Sequence, residues 1–392
     1  MDYGALSIGK RGNMRFGPAP GEGGGVDPLA LLQSKGAPFF LHDFLGRTDL
    51  TFQEAVGPTL ADDATEAVGL AFSTDEIGTR SLAEILAAQS ELKQTGTTGT
   101  FGTATAATYN TTTGSGVVYR VDGSNLSRVW VSTGAGNRYA IDIETFGSPV
   151  FIRDSVGFAV LATTASSGRQ TLYVSGAGTS ISFTGTSAGS ASFTLHSFKV
   201  IPGYHAAQAA NTGYLSIRQA DGSVRGDGLD DNLLSKLTSA TSMFFAVAML
   251  GGVNPASFGT LVGGPVGTAR GYFGRNSSGQ LCAGVGTDSI TTIVGGGDLA
   301  GVKGVAMLNV AAGGNVDLEW FPKGGSLTSL YSAAINGSMT AGTALRIFAT
   351  NASGMAGNFG KDNIYLAAAA QTTLTAAERR AFAKNWNGRI PS

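Results

Sequence analysis

The chain contains a single cysteine, Cys282, in 392 residues. One thiol excludes an intrachain disulfide framework and leaves a thiolate metal cluster without ligands. Histidine is nearly as scarce, and His42, His196 and His205 are too widely spaced to form a zinc signature or a Cys/His catalytic motif. Charge is thin as well. Charged residues make up 14% of the chain, with 26 Lys plus Arg against 27 Asp plus Glu and no dense basic cluster, so neither nucleic acid nor membrane insertion is expected. The longest apolar run, Met243 to Leu250, is far too short to cross a bilayer, and the opening MDYGALSIGKRGNMRFG lacks the apolar core of a signal peptide. Synthesis and folding in a reducing cytoplasm are therefore expected.

What the chain has in quantity is glycine, 59 residues, together with Ser, Thr, Ala and Val, the composition of short strands joined by tight turns. Residues 1–37 are rich in Gly and Pro (GPAPGEGGGVDP) with little apolar periodicity, which predicts an extended arm that orders only against a partner. Residues 38–94 mix short apolar runs with turns and read as a connecting or oligomerising segment. It holds a helix over 81–93, where Ser81 and Glu84 form a capping box and Leu82, Ile85 and Leu86 an apolar stripe.

From 95 to 202 nearly every segment alternates. In GVVYRVD, Val117, Tyr119 and Val121 are assigned to one face and Val118, Arg120 and Asp122 to the other. In NRYAIDIE, Tyr139, Ile141 and Ile143 point inward, with Arg138, Asp142 and Glu144 outward. After a linker at 203–212, a second strand-rich run occupies 213–392 and closes in a helix, where Thr375 and Glu378 form another capping box, Phe382 and Trp386 share a face and Gly388 sits as a C′ glycine. The expected fold is all-β: two tandem β-sandwiches of jelly-roll type, an extended N-terminal arm, one short helix in the N-terminal region and a C-terminal helix.

Three stretches carry a resemblance to a known group. DLTFQEAVGPTLADDATEAVGLAF (Asp49 to Phe72) looks like the segment that precedes the sandwiches in bacteriophage and prophage virion proteins. FTLHSFKVIPGYHAAQAANT (Phe193 to Thr212) resembles the last strand and linker of a carbohydrate-binding-module-like jelly roll. GSVRGDGLDDNLLSKL (Gly222 to Leu237) and LTAAERRAFAKNW are similar to the first-strand and closing-helix motifs of concanavalin-A-like, laminin-G-like domains. The resemblance implies a virion-surface protein, a tail fibre or a head spike or fibre, that binds other virion proteins through residues 1–37 and host polysaccharide through its sandwiches. It also implies a homo-oligomer, with a trimer favoured, and no cofactor. A capsule-depolymerising spike and a purely structural decoration protein are the alternatives.

Sugar rings bury their apolar faces on exposed aromatic planes while polar side chains bind the hydroxyls, so Trp130 is the leading glycan-binding candidate. It shares a strand face with Arg128, opposite Val129 and Val131, and the outward set extends to Arg120, Arg138, Asp142 and Glu144. The competing reading is an aromatic that plugs an interface. Trp320 follows Val316 and Leu318 on one face and reads as core. For glycosidic cleavage, two acids must face each other across a cleft. The candidates are Asp142, Glu144, Asp317 and Glu319, and because the last two read as the solvated side of a strand, the chain is expected not to be an enzyme. Arg225-Gly226-Asp227 reads as a strand running into a turn rather than an adhesive loop, and Asp230 with Asp231 as turn chemistry rather than a calcium site.

Overall fold

The computed structural model describes residues 26–57, 59–73, 80–208, 216–352 and 355–392. It is all-β with three α-helices, and every strand ladder among the described residues is antiparallel. Three sheets carry the fold. A ten-stranded sheet built from residues 97–201 curls over on itself, its two halves joined where Arg120 pairs with Leu126. Its single core includes Val118, Val129, Val131, Tyr139, Ile141, Ile143, Phe183 and Phe198. The remaining two sheets, of nine strands each, lie face to face around a second core that includes Phe40, Phe245, Leu261, Phe273, Ile293 and Trp320.

The central strands of the second sandwich explain the continuous apolar runs in its sequence. Along Met243–Leu250, Met243, Phe245, Val247 and Met249 enter the core between the sheets, while Phe244, Ala246 and Ala248 enter a different core on the opposite face. Strand Asn363–Ala370 is divided in the same way, with Ala367 and Ala369 on one side and Ala368 and Ala370 on the other. A sheet apolar on both faces needs cover on both. The outer cover comes from α1 (Pro28–Ser34) and α3 (Ala376–Arg389), which supply Leu29, Leu32, Phe382 and Trp386.

Part of the expected arm therefore has a different structure. Residues 1–25 lie outside the described residues, but residues 28–34 are helical rather than extended. Asp27 caps this helix by accepting the Leu29 N–H at 3.0 Å, and Pro28 stands where a missing N–H costs nothing. Lys35 pairs with Glu378 of α3 at 2.6 Å. The periodicity of PLALL is too short to register as a helix in a Gly/Pro-rich context.

Residues 38–73 are likewise woven into the second sandwich rather than standing apart. Strand Phe39–Asp43 pairs with Asn363–Ala370 in one sheet, and Thr51–Phe52 and Leu70–Ala71 extend the other. Both capping boxes form. The helix expected over 81–93, α2 (Leu82–Ala88), is shorter because Glu91 leaves it to accept hydrogen bonds from the Phe198 N–H (2.6 Å) and Ser197 hydroxyl (3.0 Å) of the neighbouring strand. Gly388 is not a C′ glycine, since α3 runs on to Arg389. In GVVYRVD the buried face is the one that carries Val118, and Val121 is exposed beyond the strand end.

The two sandwiches meet through a fourth core. Phe52, Phe72 and Tyr173 form a ring cluster with centroids 4.9–5.3 Å apart, beside Ile85 of α2 and Ile201. His205 stacks edge-on to Phe72 at 4.8 Å, accepts the Ser73 N–H at Nδ1 and donates from Nε2 to the Ile201 carbonyl. Nearby His42 is fully buried between Phe40 and Phe44. Burial lowers both imidazoles to a pKa of about 3.

The packing of α1 and the burial of the histidines can each be checked. Leu32 is 1% exposed, so Leu32→Ala should cost roughly 2–4 kcal/mol in urea unfolding. A change below about 0.5 kcal/mol would show that α1 is a detachable arm. The two histidines stay neutral in the fold while the unfolded chain protonates them near pH 6.5, so they cost no stability above that pH and an increasing amount toward pH 3. His42→Phe, which keeps an aromatic ring between Phe40 and Phe44, should make this fall measurably shallower in urea midpoints taken at pH 7, 5 and 4.

Candidate functional site

The outward face of strand Leu126–Ser132 alternates with its buried residues, as the sequence indicates: Val129 and Val131 are fully buried, while Arg128 and Trp130 lie half-buried on the other side. Register then fixes their neighbours. Trp130 stands opposite Ser182 on one side and Thr97 on the other, and Arg128 stands between Thr184 and Gly99. One strand further on, Arg153 lies opposite Ser182 and Phe151 opposite Thr184. The small Gly99 matters here, because a Cβ at that position would come within 2.6 Å of the Trp130 ring. Glycine lets the indole lie across the neighbouring strand.

These residues form a run of alternating rings and guanidinium groups. The Arg128 guanidinium is 4.6 Å from the Phe101 ring centroid, 4.7 Å from that of Trp130 and 5.9 Å from that of Phe158. Arg153 lies 4.8 Å from Phe158 and 4.7 Å from Phe151, and Arg120 completes the run 5.9 Å from Phe151. Such cation–π contacts contribute about 0.5–1 kcal/mol each at exposed sites. Phe101 remains 43% exposed. Phe158 takes a left-handed backbone, φ 54°, which an aromatic residue rarely adopts, and its carbonyl is held by Arg153 Nη1 at 2.8 Å. Arg120 donates to the carbonyls of Gly185, Thr186 and Asp122. Phe101, Phe151, Arg153 and Phe158 escaped the sequence reading because they come from other strands and a loop, and only register brings them beside Arg128.

The structure thus brings Trp130, Arg128 and Arg120 together and places Arg138 and Asp142 elsewhere. Arg138 points into a cleft of about 570 Å³ between the sandwiches, lined also by Ala55, His205, Leu234 and Lys236. It donates to the carbonyls of Ala55 and Tyr173, both at 3.0 Å, and burial lowers its pKa to about 10. Asp142 is locked in a two-pronged pair with Arg169 at 2.9 and 2.6 Å on the opposite half of the sheet, and Glu144 meets His196 at 3.0 Å.

Asp317 and Glu319 are not a solvated strand face. Arg379 of α3 covers them, bonding Glu319 at 2.8 and 3.1 Å and Asp317 at 3.1 Å, and Glu319 is only 6% exposed. The helix that seals this face was visible in the sequence, but where it docks was not. Trp320 is in the core as expected. A strand does pass through Arg225, and Gly226 packs against the Gly360 carbonyl. Asp227 accepts the Leu229 N–H, and Asp231 accepts the Asp227 N–H at 2.7 Å, so both carboxylates shape the turn.

Asp227, Asp230 and Asp231 place carboxylate oxygens within 4.8 Å of one another. Burial, with the two neighbouring carboxylates adding to it, pushes Asp231 up to a pKa of about 6. The native state therefore holds this proton longer than the unfolded chain, and the stability this carboxyl contributes is full below about pH 4 and declines as pH rises through 6. Asp231→Asn should stabilise the protein at pH 7.5 by on the order of 1 kcal/mol and have no effect at pH 4, read as the difference in Tm between the two proteins.

No protein-family model matches the sequence, and no curated protein does. Among solved structures the chain is similar to Trypanosoma rangeli sialidase in complex with the inhibitor DANA, at 12% identity and TM-score 0.32 over 46% of this chain and 29% of that one. A mutant of that sialidase displaying trans-sialidase activity gives 12% identity and TM-score 0.32 over 47% and 30%. The tail fiber protein gp63.1 from an E. coli phage gives 10% identity and TM-score 0.22 over 66% of this chain and 36% of that chain. The chain thus spans about a third of the length of these neighbours, and likeness at this level concerns the β-rich fold alone. The expectation that the chain is no enzyme is corrected by these findings: sialidases are enzymes, and the exclusion of catalysis is withdrawn.

Proposed function

We propose that the chain is a surface component of a phage or phage-like particle, a tail fibre or head spike, and that its first sandwich binds host cell-surface glycan on the face that carries Trp130. The supporting observation is the run of half-exposed aromatic rings, Trp130, Phe101, Phe158 and Phe151, interleaved with guanidinium groups on one side of the sheet. Aromatic planes take the apolar faces of sugar rings, and the arginine donors beside them suit hydroxyl and ring oxygens. The motifs at Asp49 to Phe72, Phe193 to Thr212 and Gly222 to Leu237 support the virion assignment.

In this reading residues 1–37 reach other virion proteins, with α1 seating the end of that segment against α3. A homo-oligomer, a trimer above all, multiplies weak sugar contacts without any new one, because later binding events become intramolecular. No helix among the described residues is long and apolar enough to cross a membrane.

Binding of full-length protein to surface polysaccharide from candidate host strains, followed by affinity electrophoresis, tests the assignment. Trp130→Ala should weaken retardation at least about tenfold, the loss of roughly 1.4 kcal/mol that one stacking contact provides, with circular dichroism showing that the fold is retained. Retardation unaffected by the substitution would remove this face from the function. New reducing ends in the same incubation would report cleavage in addition to binding.

A further inference from the structure

The guanidinium of Arg128 lacks a partner that its surroundings call for. Its Nε is buried without a hydrogen bond, and no carboxylate among the described residues lies within ion-pair distance of it. The hydroxyl of Ser182, in the row beneath the ladder, is also buried and unpartnered. Most other partly buried arginines in the molecule have an acid or several carbonyls: Arg275 has Asp362 at 2.6 Å, Arg379 has Glu319, and Arg138 has two carbonyls. Arg128 has the Phe101, Trp130 and Phe158 rings around it and no hydrogen bond at Nε.

The surroundings add positive charge. Arg153 donates to Thr184 Oγ1 and to the Phe158 carbonyl, and Arg120 to three carbonyls; neither forms an ion pair within 4 Å among the described residues, although the Arg120 charge acts on the nearby Asp122 carboxylate. The acids closest in sequence are engaged elsewhere. Asp122 accepts from the N–H groups of Ser124 and Asn125 and from the Asn125 side chain. Asp154 lies on the buried face of its strand, where it accepts the N–H groups of Ala177 and Gly178. Partial burial without a compensating anion holds Arg128 below its usual pKa, and for Arg153 burial and the Arg120 charge act in the same direction. Three like charges on one face, partly desolvated, are costly unless an anion joins them.

We propose that this face takes an acidic polysaccharide, with a sugar carboxylate seated on the guanidinium of Arg128, Arg153 and Arg120 flanking it, and the aromatic rings carrying the adjoining sugar planes. The proposal rests on the glycan-binding reading and names its ligand class. A planar guanidinium set among rings presents parallel N–H donors that match a carboxylate, which a lysine ammonium would not. The stacking also fixes the fork before the ligand arrives, so little side-chain entropy is lost on binding. A neutral polymer would leave all three charges uncompensated.

The test uses full-length protein and a panel of carboxylate-bearing bacterial capsular polysaccharides, each compared with the same polymer after its carboxylates have been reduced to hydroxymethyl groups. One or more native polymers should bind at least about tenfold more tightly than their reduced forms, and the difference should shrink between about 50 mM and about 300 mM NaCl. Arg128→Gln should weaken binding of the native polymer much more than binding of its reduced form, so that the preference falls below about twofold. Equal affinity for native and reduced polymers would overturn the carboxylate assignment and leave glycan binding standing. Preference for a phosphate-bearing polymer that lacks carboxylates would overturn it as well. Failure to bind any polymer in the panel, native or reduced, would remove this inference and the glycan-binding reading together.

Discussion

The second sandwich depends on a sheet that is apolar on both sides. Phe245 and Phe244 are adjacent residues, yet each is fully buried in a separate core. Such a strand has no solvent side to fall back on, so the opposite sheet must close over one face and helices over the other. This requirement explains why α1 and α3, from opposite ends of the described chain, lie against each other, and why Lys35 bonds Glu378 across that distance. It also explains why Glu319 sits buried in a strand that alternates correctly: Arg379 arrives on the covering helix and satisfies it.

The first sandwich solves a different problem. Its ten strands wrap around one core, so outside the joint, where Ala140, Tyr173 and Ile201 are buried, the other side of the strands is free to be polar, and the molecule uses those positions unevenly. On one half they are engaged in pairs, Asp142 in an ion pair with Arg169 and Glu144 in contact with His196. On the other half the charges are arginines stacked on rings, with carbonyls, a hydroxyl or nothing as partners. The same fold thus carries one closed electrostatic surface and one open one, and the open surface is the one suited to an external ligand.

Between the sandwiches, Phe52, Phe72, Tyr173 and α2 fill the joint, with the neutral His205 set against Phe72. The joint is apolar enough that protonating this imidazole works against it. The relative placement of the two units is therefore tied to packing rather than to a linker, although the sequence between them reads like one.

Much of this was legible in the residues. Alternation in NRYAIDIE placed Tyr139, Ile141 and Ile143 inside, the two capping boxes fixed both helix starts, and Trp320 was recognisable as core, because each signal is local and repeats with a known period. The helix at residues 28–34 was missed because two turns carry too little periodicity to stand out from a Gly/Pro-rich context. Trp130 and Arg128 were found from one strand, whereas Arg138 and Asp142 were grouped with them by polarity alone. The sequence by itself determined which elements form and which side of most strands is buried. Only the tertiary structure decided which outward faces become neighbours, because that depends on register between strands far apart in the chain, and register is set by the closure of the core as a whole.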